Sequence, residues 1–157
     1  MINKVYRKAE DEIWHKNHER ISIERLTEII EKEELLIAKN DKTLVGCIHL
    51  EPVSNSLHKF KMLAANPQFK GMGVGSKLIK FAEKTAIERG ASKMQLELLI
   101  PTEFIHQDKV FLHNWYSRIG YKEISEHSVD YCHEGISKFL KTPCKAVVYQ
   151  KPLVLPK

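Results

Sequence analysis

The chain has 157 residues, 43% of them hydrophobic and 29% charged, with a formal net charge of +5. That length suits one domain over residues 1–157 with one sizeable core, and the composition sits in the soluble globular range, away from disorder. No apolar run approaches the ~20 residues of a membrane helix, no apolar leader follows Met1, and the scattered lysines lack the dense basic run of a nucleic-acid binder. A cytoplasmic protein with an anionic ligand or acidic partner is therefore expected, with neither membrane nor nucleic acid. Cys47, Cys132 and Cys144 are odd in number, widely spaced and without a Cys-x-x-Cys pair, so neither a disulfide framework nor a metal site is expected.

In chain order, residues 3–9, with Val5 and Tyr6 as an apolar patch, read as a first strand, and residues 10–20 as a short wet helix around Ile13 and Trp14. Ser22 is an N-cap for a helix carrying Ile23, Leu26, Ile29 and Ile30 on one side. The run 35–38 and the alternating residues 44–50 flank the polar turn 40–42 and predict a hairpin. A strand over 58–65 ends at Asn66-Pro67. The clearest helix is 76–89, apolar at Leu78, Ile79, Ala82 and Ala86 and ended by Gly90, and the apolar run 94–100 predicts a central strand stopped by Pro101. A polar loop then leads to a short helix over 110–118, a strand over 121–126, a helical segment over 130–141 and a last strand over 146–149.

Pro67-Gln-Phe-Lys-Gly-Met-Gly-Val-Gly75 joins the strand at 58–65 to the clearest helix. Glycines at alternate positions ahead of a helix start gather backbone N–H groups at the helix's positive end, which makes an anion cradle. A mononucleotide loop requires Gly-Lys-Ser/Thr, whereas Gly75 is followed by Ser76 and then Lys77. A dinucleotide fingerprint requires glycine at 76 and a position near the first strand of an alternating fold, while this loop follows a mostly antiparallel start. A third, competing reading is the pyrophosphate cradle of acetyl-coenzyme A.

The chain resembles the GCN5-related N-acetyltransferase (GNAT) family over nearly its whole length. The family motif Gln/Arg-x-x-Gly-x-Gly/Ala is matched by Lys70-Gly71-Met72-Gly73-Val74-Gly75, with Lys70 in the Gln/Arg place; Gln68 to Gly73 fits the formula literally, but the first register starts the helix at Ser76. A second signature stands as Trp115-Tyr116-Ser117-Arg118-Ile119-Gly120-Tyr121. The resemblance implies an α+β fold: a mixed, mostly antiparallel sheet of about seven strands, four to five helices and splayed central strands. It further implies acetyl-CoA as acyl donor, held by Leu63, Ala64, Ala65 and the residues 70–76, namely Lys70, Gly71, Met72, Gly73, Val74, Gly75 and Ser76. A backbone N–H near Leu63 would face the thioester carbonyl, an interaction commonly worth ~3 kcal/mol per donor.

On the same resemblance Tyr116 is the candidate general acid for the departing sulfur; the bland alternative is a core aromatic, with Trp115 beside it able to fill the core. Some family members use a glutamate on the fourth strand as base, but Lys59, Phe60 and Lys61 stand there. Glu97, on the expected central strand, is the remaining candidate, with a satisfied ion pair to Lys or Arg as the alternative. His106 is the histidine to test first, Trp14 is read as packing, and Cys144 lacks an activating motif. The implied activity is direct acetyl transfer to a primary amine of a small molecule or peptide, with a homodimer possible. The alternative is a non-catalytic acyl-CoA-binding or regulatory module on the same fold.

Overall fold

The computed structural model describes residues 1–154. Among them are four α-helices, α1 (Ile2–Ala9), α2 (Ile23–Glu31), α3 (Val74–Glu88) and α4 (Gln107–Arg118). There are six strands, β1 (Leu35–Asn40), β2 (Thr43–Pro52), β3 (Leu57–Ala65), β4 (Lys93–Pro101), β5 (Lys122–Ser128) and β6 (Cys144–Pro152). The fold is mixed α/β, with a mostly antiparallel sheet flanked by helices, as the resemblance implied. The strand count is six against the seven expected. The difference is the N-terminal segment: Ile2, Val5, Tyr6 and Ala9 recur at i, i+3, i+4 and i+7, the helical period, so residues 2–9 form α1 and no strand.

The chain divides into two compact units. The first comprises Met1–Arg7, Glu19–Met94 and the described residues from Pro152 onward; the second comprises Lys8–His18 and Gln95–Lys151.

In the first unit β1, β2 and β3 form an antiparallel meander. Ile2, Ile21, Ile29, Cys47, Met62 and Ala64 make a core on one face, joined by Val5, Tyr6, Leu26 and Leu35. Ser22 caps α2 as expected, its hydroxyl accepting from Arg25 N at 3.1 Å. The Asn3 side chain both donates to Ile21 O (2.9 Å) and accepts from Ile21 N (3.0 Å), tying α1 to the start of α2. Helix α3 packs on the meander through Leu78, Ile79, Ala82 and Ala86.

In the second unit the strand order is β4-β6-β5, with β5 and β6 antiparallel. The helix expected over 10–20 is replaced by turns. The segment bonds in strand fashion instead, with Trp14 bridging Leu140 and Lys141 N donating to Ile13 O at 2.8 Å, and both Ile13 and Trp14 are buried there. The segment expected as a helix over 130–141 contains two short 3-10 turns, Val129–Tyr131 and Ile136–Phe139. The Asp130 carboxylate explains the break: it accepts from Ser137 N (2.9 Å) and Ser137 Oγ (2.8 Å), bonds that fold the chain back and hold that carboxyl below its ordinary pKa.

Candidate functional site

The glycine loop lies wholly in the first unit and is built by local bonds. Asn66 Oδ1 accepts from Gln68 N (3.1 Å), which starts a single 3-10 turn at Pro67–Phe69; Lys70 N donates to Pro67 O and Met72 N to Phe69 O. Gly71 and Gly73 then take left-handed φ values of 84° and 71°, and Gly73 is the N-cap of α3 without any side-chain cap bond. Helix α3 therefore begins at Val74, two residues earlier than the sequence reading placed it, and Val74, Gly75 and Ser76 make up its first turn. A Cβ built at either Gly71 or Gly73 meets nothing within 4 Å, so a side chain there would fill the open space above the helix start. That open, uncapped N-terminus with Lys70 exposed beside it fits a pyrophosphate group.

The cradle is fixed to the sheet at Gly46 of β2. A Cβ there would lie 2.8 Å from both Leu78 Cδ1 and Val74 Cγ1 and 3.0 Å from Ala64 O, so the first turns of α3 rest on bare strand backbone. Beside this contact, β3 is kinked. Cys47 pairs with Ala64 and His49 with Lys61, so Ile48 stands opposite two residues, Met62 and Leu63. That is a bulge, and Met62 takes the left-handed φ of 49° that opens it. Leu63, Ala64 and Ala65, expected along the acyl arm, thus follow a break in the β2–β3 ladder, which changes the direction of the backbone groups at Leu63.

Just before the bulge, where the family glutamate is missing, the first unit holds a cross-strand charge cluster. Glu51 lies opposite Lys59 and accepts from Lys61 Nζ at 2.6 Å, with Lys59 at 3.6 Å. Burial alone would push the Glu51 carboxyl up, but the Lys61 bond and the two ammonium charges outweigh it and hold the pKa below the ordinary value. His49, opposite Lys61, is buried, its Nε2 lies 2.9 Å from Glu34 Oε2, and its Nδ1 has no hydrogen-bond partner. Burial lowers its pKa against the raising effect of Glu34, so the ring is neutral at pH 7.

The two proposed proton-transfer residues belong to the second unit. Tyr116 is only 5% exposed, stacks on Trp115 (5.3 Å between ring centroids) and meets the Tyr121 ring edge-on at 6.1 Å. Trp115 is half-buried, with the exposed Phe111 ring 6.3 Å away between centroids, whereas Tyr116 is buried. Glu97 Oε1 accepts from Gln95 Nε2 (3.2 Å), and Gln95 Oε1 accepts from Gln150 Nε2 (2.8 Å), so a line of amides orients the carboxylate. Burial raises the Cys144 thiol to about 11, which leaves it protonated and a poor nucleophile.

The second unit also contains a cleft of about 570 Å³ between the end of β4 and the start of α4. Ile100, Phe104 and Val110 give it apolar walls, and His106, His113 and Lys145 give it polar ones. His106, at the N-cap of α4, is buried; its Nε2 is 3.9 Å from Glu12 Oε2 and its Nδ1 has no partner. Sequence reasoning missed the group behind this wall. Buried Glu10 bonds both to buried Lys109 and to Trp14 Nε1 (2.6 Å), a satisfied ion pair joining residues 99 positions apart. No local pattern announces such a pair. The buried Tyr149 of β6, whose hydroxyl lies 2.8 Å from His113 Nδ1, was likewise read only as part of a strand.

Residues 1–121 match the profile of the Acetyltransferase (GNAT) family. The match spans more than half of the chain, and the chain belongs to that family. Among solved structures it is similar to an aminoglycoside 6'-N-acetyltransferase complexed with coenzyme A (16% identity, 99% of this chain and 91% of that one, TM-score 0.70). It is also similar to Ard1 from Thermoplasma volcanium (17%, 98% and 92%, TM-score 0.67). A third similarity is to N-acetylglutamate synthase from Neisseria gonorrhoeae with coenzyme A and N-acetyl-glutamate (21%, TM-score 0.68), where 98% of this chain spans only 32% of the larger one. At these identities the likeness is one of fold. No curated protein matches the chain by sequence. Among the described residues no helix is long and apolar enough to cross a membrane.

Proposed function

We propose that the chain is an acetyl-CoA-dependent N-acetyltransferase acting on a primary amine of a small molecule or peptide. The observation that carries this reading is the cradle: two left-handed glycines with open space above them, leading into an uncapped helix, in a chain of the acetyltransferase family. The coenzyme A named with two of the solved structures supports the same choice of donor. Bound acetyl-CoA would supply the acetyl group as a thioester.

The residues then divide the work. The first-turn N–H groups of α3, with Lys70, hold the pyrophosphate charge, and the backbone of Leu63 to Ala65 bonds the acyl arm. The Leu63 N–H donates to the thioester oxygen as negative charge develops on it. Glu97 takes the proton from the attacking amine, directly or through water, as the nitrogen–carbon bond forms. Tyr116 gives its proton to the sulfur as the carbon–sulfur bond breaks.

The experiment is thiol release from acetyl-CoA by the purified chain over a panel of polyamines, amino acids, aminoglycosides and peptides. Amine-dependent release with a mass gain of one acetyl group on the acceptor is expected. Tight coenzyme A binding without release for any amine would replace this reading with that of a binding module.

A further inference from the structure

The kink in β3 requires support. A non-glycine residue in the left-handed region costs of order 1–3 kcal/mol and persists only where its surroundings hold it. Met62 is buried in the core of the first unit, and a bond from α1 reaches the kink from outside the sheet. The Tyr6 hydroxyl, on α1, donates to the Leu63 carbonyl at 3.2 Å, across 57 residues of sequence. The ring that carries this hydroxyl is itself held: it packs against the core cluster and lies under the Arg20 guanidinium, 4.7 Å from the ring centroid.

We propose that Tyr6 is a positioning residue of the transferase: by clamping the Leu63 carbonyl it fixes the backbone past the Met62 bulge, and with it the direction of the Leu63 N–H toward the thioester oxygen. The inference rests on the function proposed above and adds a residue that neither family signature contains. The physical reason is local. The bulge removes Leu63 from the regular ladder that would otherwise orient its peptide groups, and with φ constrained at Met62 the carbonyl of Leu63 is the remaining handle. A hydrogen bond to it holds the peptide group that follows the bulge.

The test is NMR of the full chain, following the Leu63 amide on addition of coenzyme A and of acetyl-CoA. In the native protein the acetyl form should shift this amide beyond the shift caused by coenzyme A alone. Tyr6→Phe should lose at least half of that acetyl-specific shift while its coenzyme A Kd stays within about twofold and, with any active amine, kcat falls about tenfold at unchanged KM. Replacing Tyr6 by 3-fluorotyrosine, which keeps the ring and a stronger hydroxyl donor, should retain the shift, and this variant serves as the test if Tyr6→Phe does not fold. A full acetyl-specific shift in Tyr6→Phe overturns the inference, as does loss of the shift with 3-fluorotyrosine in place. So does its absence from a native protein that binds coenzyme A. A native protein that binds neither compound overturns the proposed function itself.

Discussion

Met62 and Gly73 both carry the backbone through the left-handed region, at φ values of 49° and 71°, and they do so by opposite means. Gly73 has no Cβ to clash and open space where one would stand, so the shape of the cradle belongs to the loop itself. Met62 has a long side chain packed in the core, and its conformation belongs to the neighbours: the two-for-one register opposite Ile48, the surrounding apolar cluster and the hydroxyl of Tyr6. A shape written in glycine survives changes around it and fails when the glycine changes. A shape imposed by packing tolerates other residues and fails when the support goes.

The largest expected effect follows from the first half of that contrast. Gly73→Val places a branched side chain in the cradle and forces it into a conformation costing about 1–2 kcal/mol. With loss of charge-assisted contacts to phosphate, coenzyme A affinity measured by calorimetry should fall about 100-fold. A Kd within threefold of native would remove the cradle from the cofactor site. Tyr116→Phe touches neither backbone feature. It should leave coenzyme A affinity alone and lower kcat by about 10- to 100-fold in steady-state assays; unchanged turnover would leave Tyr116 as a core aromatic.

The second half of the contrast is tested at Met62. Both Met62→Ala and Met62→Gly lose the buried side chain, but only glycine escapes the left-handed strain. In urea denaturation Met62→Gly should therefore be the more stable of the two by about 0.5–1 kcal/mol, the reverse of the order at ordinary strand positions. The smallest effect is a pH dependence next to the kink. His49 has a folded pKa below the ordinary 6.5, so its contribution to stability is present above pH 6.5 and is lost as the pH falls through the depressed value. The groups facing it are Glu34, Glu51 and Lys61. His49→Gln should flatten the melting temperature against pH in that acid range, and an unaltered slope would assign the loss elsewhere.

The same contrast explains what could be read from the chain alone. The glycines at 71 and 73, the apolar side of α3 and the Ser22 cap act through residues within a few positions of one another, and their pattern is visible in a line of text. The hairpin of β1 and β2 and the strand before Pro67 were legible for the same reason. Tyr6 was not, because a hydroxyl reaching a carbonyl 57 residues away leaves no local trace. Nor was the Met62 bulge, since methionine is unremarkable in a strand, nor the Glu10–Lys109 pair, whose members look like ordinary surface charges. The N-terminal helix was legible and misread: Val5 and Tyr6 alone suggest a strand, but with Ile2 and Ala9 they keep helical time.

Gly46 has a mechanical consequence. Where α3 meets β2 the methyl groups of Leu78 and Val74 come down on strand backbone with no strand side chain between and no room for one. Such a joint is stiff under compression. Hydrostatic pressure acts on unfilled volume, so the cradle end of α3 should be among the last parts of the first unit to respond to it. In pressure-dependent NMR the amides of Gly46 and Val74 should shift together and little, and coenzyme A affinity should hold over pressures at which looser packing elsewhere already yields.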